Sequence, residues 1–247
     1  MTPYIGVDDP STWPDDIKLA VNTWTAELQA RGVPEDELAV KAGEYDGPLE
    51  ALLNGHLLRA YHCTRLLDHE VEGIRLHGMR ILDEQLVTDK LNAALEYGVL
   101  TDAQYRELLQ GRRLDNPASG MKVESEISFV LSPVELQHNA WGFNPLLTSW
   151  GGEAIYWAHE KNPALSETLR SLGRPTIIHV ALDPEHLPGA LLAPSLAGPF
   201  VAVVAALSPE EQGAEVHYRA AIPSEHVLDL WHPGDADYDR FPDLARC

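Results

Sequence analysis

The sequence predicts an α+β fold, and two patterns predict it. Apolar residues recur at helical spacing over 15–31 and 68–77, and 83–114 reads as helical throughout. Short apolar, partly β-branched runs at 57–63, 127–131, 176–182, 200–206 and 216–221 have the length of buried strands. Hydrophobic residues make up 45% of the 247 residues, enough to build a real core around both kinds of element.

In chain order, Ile17, Leu19, Ala20, Val21, Trp24 and Leu28 form an apolar stripe over 15–31, closed by Gly32 and Pro34. Residues 35–42 predict a second short helix, so 1–50 reads as an acidic helical extension ahead of a domain at 51–247. The helix at 68–77 turns Val71 and Ile74 inward and ends at Gly78, a residue suited to the positive φ of a helix terminus. Met79–Leu82 leaves it as an extended segment. Thr101 with Gln104 forms a capping box for a helix running to Leu109 and closed by Gly111. Asn116–Met121 and Gly142–Gly152 read as loops, and Ser224 or Glu225 starts a short helical turn after Pro223.

Composition excludes several classes. No apolar run reaches the roughly 18–20 residues that cross a bilayer, and the start of the chain lacks a basic-then-apolar leader. The net charge of -20 opposes non-specific binding to nucleic acid or anionic membranes. Arg106, Arg112, Arg113 and Lys122 form a local basic cluster, which reads first as a solvated loop. Two cysteines, Cys63 and Cys247, fit a reducing cytoplasm and lack zinc-site spacing. Cytoplasmic location is the expectation.

Three segments carry the chemistry. In Tyr61-His62-Cys63-Thr64-Arg65, strand alternation puts His62 and Thr64 on one face, where they could bond sugar hydroxyls. Gly151-Gly152-Glu153-Ala154-Ile155-Tyr156 offers Tyr156 as a flat aromatic face beside small residues that let a ligand approach. Ala214-Glu215-Val216-His217-Tyr218 starts a late strand with a carboxylate. Each has a bland counterpart: a histidine satisfied by a carbonyl, an aromatic turn packed on the core, and a strand-edge glutamate in solvent.

Taken in order, the three segments resemble the His-Tyr-Glu signature of the ADP-ribosyltransferase superfamily. GGEAIYWA is similar to a stretch of poly-ADP-ribose-polymerase-like domains, and the Ala-Glu-strand-Ile-Pro ending to members of the DarT type. The YHCTRL and WGGEAIY motifs also resemble an uncharacterised bacterial family. The likeness covers about 57–230, with a helical insertion at roughly 83–125.

The resemblance implies a split, mixed sheet that holds NAD as substrate. His62 would hold the adenosine ribose, Tyr156 would stack on nicotinamide, and Glu215 would stabilise the ribosyl cation, as a charge aimed at the transition state. Cys63, Thr64, Arg65, Arg80 and Gly152 would complete the NAD-binding set. The expected activity is mono-ADP-ribosyl transfer to a nucleic acid or protein, with inversion, in a toxin or phage-defence effector. A cognate antitoxin or regulatory protein would be a further partner. Gly213 stands where arginine-specific relatives carry an acid or amide, which speaks against an arginine acceptor.

Rival readings are weaker. His56, Cys63, His69 and His77 lie near one another in sequence but form no HExxH or CxxC, so no metal site is expected. Cys63 and His62 face opposite sides of a strand, so His62 cannot activate the thiol. The non-enzyme alternative is a degenerate transferase fold that binds NAD, ADP-ribose or a partner protein without turnover.

Overall fold

The computed structural model describes residues 4–114, 125–187, 195–208 and 213–246. The first half runs β1 (Tyr4–Ile5), α1 (Asp15–Ala30), α2 (Leu38–Lys41), α3 (Asp46–Leu53), β2 (Leu57–Leu66), α4 (Asp68–His77), α5 (Glu84–Glu96) and α6 (Asp102–Gly111). The second half runs β3 (Ile127–Val130), α7 (Pro133–His138), α8 (Ala140–Thr148), α9 (Glu153–Tyr156), α10 (Pro163–Ser171), β4 (Arg174–Leu182), α11 (Ala197–Val204), β5 (Glu215–Tyr218), β6 (Val227–Trp231) and α12 (Ala236–Asp239). The fold is α+β. Its six strands run in the order β5-β3-β2-β4-β6, with β1 paired to β2 off this path. β1 is parallel to β2 and β3 is antiparallel to it, so the sheet is mixed.

The chain divides into two compact units. Unit 1 comprises 1–62, 128–140 and 179–218; unit 2 comprises 63–127, 141–178 and 219–247. In unit 1, α1, α2 and α11 pack together, burying Ile17, Val21, Leu28, Leu38 and Phe200. The segment expected as a helical extension is helical but is built into the unit 1 core. Trp13 packs on Phe200 at 5.0 Å and donates its indole N–H to the Gly6 carbonyl at 2.7 Å, which ties the N-terminal turn to α11.

Two expectations need correction. The run at 200–206 is not a strand but the end of α11. A short, wholly apolar run carries no period to separate a buried helix from a strand. Pro199 falls in the first helical turn, where its missing N–H costs nothing. Residues 140–148 are helical rather than a loop. Pro145 lies inside α8, which buries Leu147.

Unit 2 gathers Val87, Leu91, Leu108, Trp150, Ile155, Tyr156, Leu165 and Leu169 into one core. The capping box of α6 forms, with the Gln104 amide N–H and the Thr101 hydroxyl 3.3 Å apart, although Gly111 is the last helical residue rather than the closing one. The expected loop at 116–121 and Lys122 lie outside the described residues. α4 ends where predicted: Gly78 has φ +81°, and a Cβ there would overlap the Ile222 carbonyl oxygen. The Met79 and Ile222 backbones pair beside it at 2.8 and 2.9 Å.

Glu70 on α4 is a buried charge made tolerable by its partners. It takes the Lys90 ammonium at 2.6 Å, the Trp150 indole N–H at 2.7 Å and the Leu67 N–H at 2.8 Å. Desolvation pushes its carboxyl up, but Lys90 and the two N–H donors outweigh that and hold it below its ordinary value. Among the described residues, no helix is long and apolar enough to cross a membrane.

Candidate active site

Unit 1 contains two of the three signature residues, and strand register decides how they relate. Tyr61 on β2 faces Val130 on β3. The Leu131 N–H donates to the Ala214 carbonyl at 2.9 Å, which sets Val130 opposite Glu215. Opposed residues share a face and neighbours alternate. Tyr61, Val130 and Glu215 therefore form one row, and His62, Phe129 and Val216 point the other way.

Ring contacts agree with this assignment. Phe129 meets His62 at 5.7 Å and Tyr218 at 6.2 Å, both edge to face. Tyr218 is three residues from Glu215 along β5, so the two side chains take opposite faces. The structure thus does not bring His62 and Glu215 onto one face. The His62 Nδ1 sits 2.8 Å from the Ser128 carbonyl. This is the bland outcome for a strand histidine, and it opposes the expected ribose-holding role.

The Glu215 face carries groups that the sequence did not flag. His179 on β4 stacks on Tyr61 with centroids 4.9 Å apart and planes 10° from parallel. Tyr4 on β1 meets the same imidazole edge-on at 6.3 Å. His217, two residues beyond Glu215, lies on this face and is buried. Arg59, two residues before Tyr61, pairs with Asp8 at 2.8 Å.

With strands about 4.8 Å apart, Glu215 and Tyr61 stand about 10 Å from each other across Val130. The Glu215 side chain reaches solvent, with Val130 opposite it on β3. Desolvation raises its carboxyl above the ordinary value, His217 opposes the rise, and the like charge of Glu135 adds to it. The arrangement offers a carboxylate at one end of a row and a fixed aromatic pair at the other. Such a row can hold a flat cation beside a centre of developing positive charge.

The remaining expected residues belong to unit 2. Tyr156 ends α9, is 7% exposed and joins the unit 2 core. It also lines a cavity of about 350 Å³ with Trp141, Asn144, Ser166 and Arg170. Gly152 has φ +63° and precedes α9 with open space around its Cα. Arg65 is buried, and its guanidinium donates to the Leu172 and Leu147 carbonyls at 2.5 and 3.2 Å. A cation so spent on backbone carbonyls is a structural strut, which corrects its expected place in a cofactor site. Arg80 is paired with Asp89 at 2.6 Å. Cys63 and Thr64 are buried, and burial drives the Cys63 thiol far up, away from the thiolate.

The row was missed because its members come from four strands that are not adjacent in sequence. Only the alternation Tyr61-His62-Cys63 and Glu215-Val216-His217 was visible, and the relative facing of two strands needs their register. No family model, curated protein or solved structure matches the chain.

Proposed function

We propose that the chain cleaves the nicotinamide–ribose bond of NAD and transfers ADP-ribose to a macromolecular acceptor, nucleic acid or protein. The observation that supports this reading is the row Glu215, Val130, Tyr61, His179 on one face of unit 1. Nicotinamide in NAD is a flat cation, for which the His179 ring, fixed by Tyr61 and Tyr4, is a suitable surface. When the C–N bond breaks, its electron pair goes to nicotinamide and positive charge develops on the ribose. Glu215 supplies the opposing charge at the other end of the row. The acceptor then bonds to the anomeric carbon from the open side and gives up its proton.

Glu215 keeps the role that the superfamily resemblance gives it. The aromatic role passes from Tyr156 to the His179–Tyr61 pair, and His62 becomes a structural residue. A toxin or defence effector remains the biological setting that the resemblance suggests.

A second reading is a binding module without turnover. It is favoured by the bond from His62 to Ser128 and by the place of Tyr156 in the unit 2 core. Nicotinamide release from NAD by wild type and Glu215→Gln separates the two. Release by wild type alone supports the transferase. NAD binding by both proteins without release supports the module, and no binding by either removes the transferase together with any module that holds NAD.

A further inference from the structure

The unit 2 cavity shares no lining residue with the Glu215 row and has a chemistry of its own. Trp141 on α8 is 81% exposed, more than the other exposed aromatic side chains, Tyr97 at 66% and Trp157 at 41%. An indole left in water beside a cavity is an apolar surface ready to be covered. Arg170 in the last turn of α10 is exposed on the same cavity and makes no ion pair among the described residues.

The cavity is built rather than incidental. Asn144 is locked by the Asp243 carbonyl at 3.1 Å and the Ala245 N–H at 2.7 Å. Ser166 is a buried hydroxyl in its wall. Burial, with Glu153 and Glu160 nearby, keeps the Tyr156 phenol protonated and able to donate. The volume of about 350 Å³ is at the small end of ligand pockets.

We propose that this cavity binds a flat aromatic ligand carrying one anionic group, of mononucleotide size or smaller. The ring lies against Trp141 and the anion meets the Arg170 guanidinium, a fork suited to phosphate or carboxylate. Tyr156 and Ser166 bond polar atoms on the ring. Glu160, on the same lining, repels longer polyphosphates. The same chemistry could arrive as a nucleoside monophosphate or as an aromatic carboxylate.

Titration calorimetry with AMP, adenosine and indole-3-acetate distinguishes these sources. The expected result is saturable one-to-one binding of AMP or of indole-3-acetate. Trp141→Ala and Arg170→Ala should each weaken it by about tenfold or more, the scale of a lost stack or charge-assisted bond. Adenosine should bind at least about tenfold more weakly than AMP if the nucleotide is the source. Both substituted side chains are exposed, and unchanged melting temperatures confirm that the variants fold. Absence of saturable binding by either anion overturns the proposal, as does binding that survives either substitution. NAD cleavage does not enter this readout, so failure here leaves the Glu215 reading standing.

Discussion

His179 lies flat on Tyr61, 4.9 Å between centroids and 10° from parallel, although 118 positions separate them in the chain. The contact joins two strands and fixes an imidazole on the same face as Glu215. His179→Ala should weaken NAD binding by about tenfold, the scale of a lost aromatic contact, while its melting temperature stays close to wild type. Tyr61→Ala removes a buried ring and should cost about 3–5 kcal/mol of stability by urea titration. Equal stability losses for the two variants would contradict the division into surface and anchor.

Glu215→Gln should reduce nicotinamide release by about 100-fold or more, the usual loss when a group aimed at transition-state charge is removed. Binding of NAD should change far less. A variant that retains wild-type turnover refutes the assigned role.

His62→Ala provides the complementary test. Its ring contacts Ser128 and Phe129 on the face away from Glu215. The expected outcome is a stability loss of about 1–2 kcal/mol with nicotinamide release within a fewfold of wild type. Loss of turnover in a folded variant would restore the three-residue signature read from the sequence and overturn the one-face row.

The two acidic side chains respond to pH in opposite directions. Glu215 is raised above its ordinary 4.5, so the folded state binds more protons than the unfolded one between 4.5 and the raised value. Stability from this group is therefore lost as pH rises through that window. Turnover, which needs the ionised carboxylate, should fall as pH drops through it. Glu70 is held below 4.5. Its contribution is present above 4.5 and lost as pH falls through its lowered folded value. Lys90→Met strands the Glu70 charge and should cost about 3 kcal/mol at neutral pH, with the deficit shrinking in acid. A deficit that does not depend on pH would show that the pair is not electrostatically coupled.

Gly78→Ala should be among the most damaging small substitutions, costing about 3 kcal/mol or more by denaturant titration. The position combines a left-handed φ with backbone contact at Ile222. A mild effect would mean that the 79–82 segment can shift away.

Local signals were legible and lateral ones were not. The α4 terminus at Gly78, the Thr101–Gln104 box and the β2 strand depend on neighbours within a few residues, so sequence alone could place them. α11 was misread because Phe200, Val201 and Ala202 are buried all round and leave no polar side to reveal a helical period. The candidate site divided in the same manner. Glu215 was visible as a strand-initial carboxylate, but which of Tyr61 or His62 shares its face depends on Val130, on the strand that lies between β2 and β5. Arg65 was expected in the NAD-binding set, and only the fold places the Leu172 and Leu147 carbonyls beside its guanidinium.

The division of the chain has a consequence for biosynthesis. Each unit is stitched from three separated stretches, with changes of unit after residues 62, 127, 140, 178 and 218. A growing polypeptide cannot complete the first body until residue 218 has left the ribosome, and the second waits for the segment beyond 219. The usual safeguard of finishing one domain before starting another is therefore closed to this protein. Strand β2 must wait for β3 and β4, made later in the chain, so yield in the cell is expected to depend on synthesis rate and on chaperone supply.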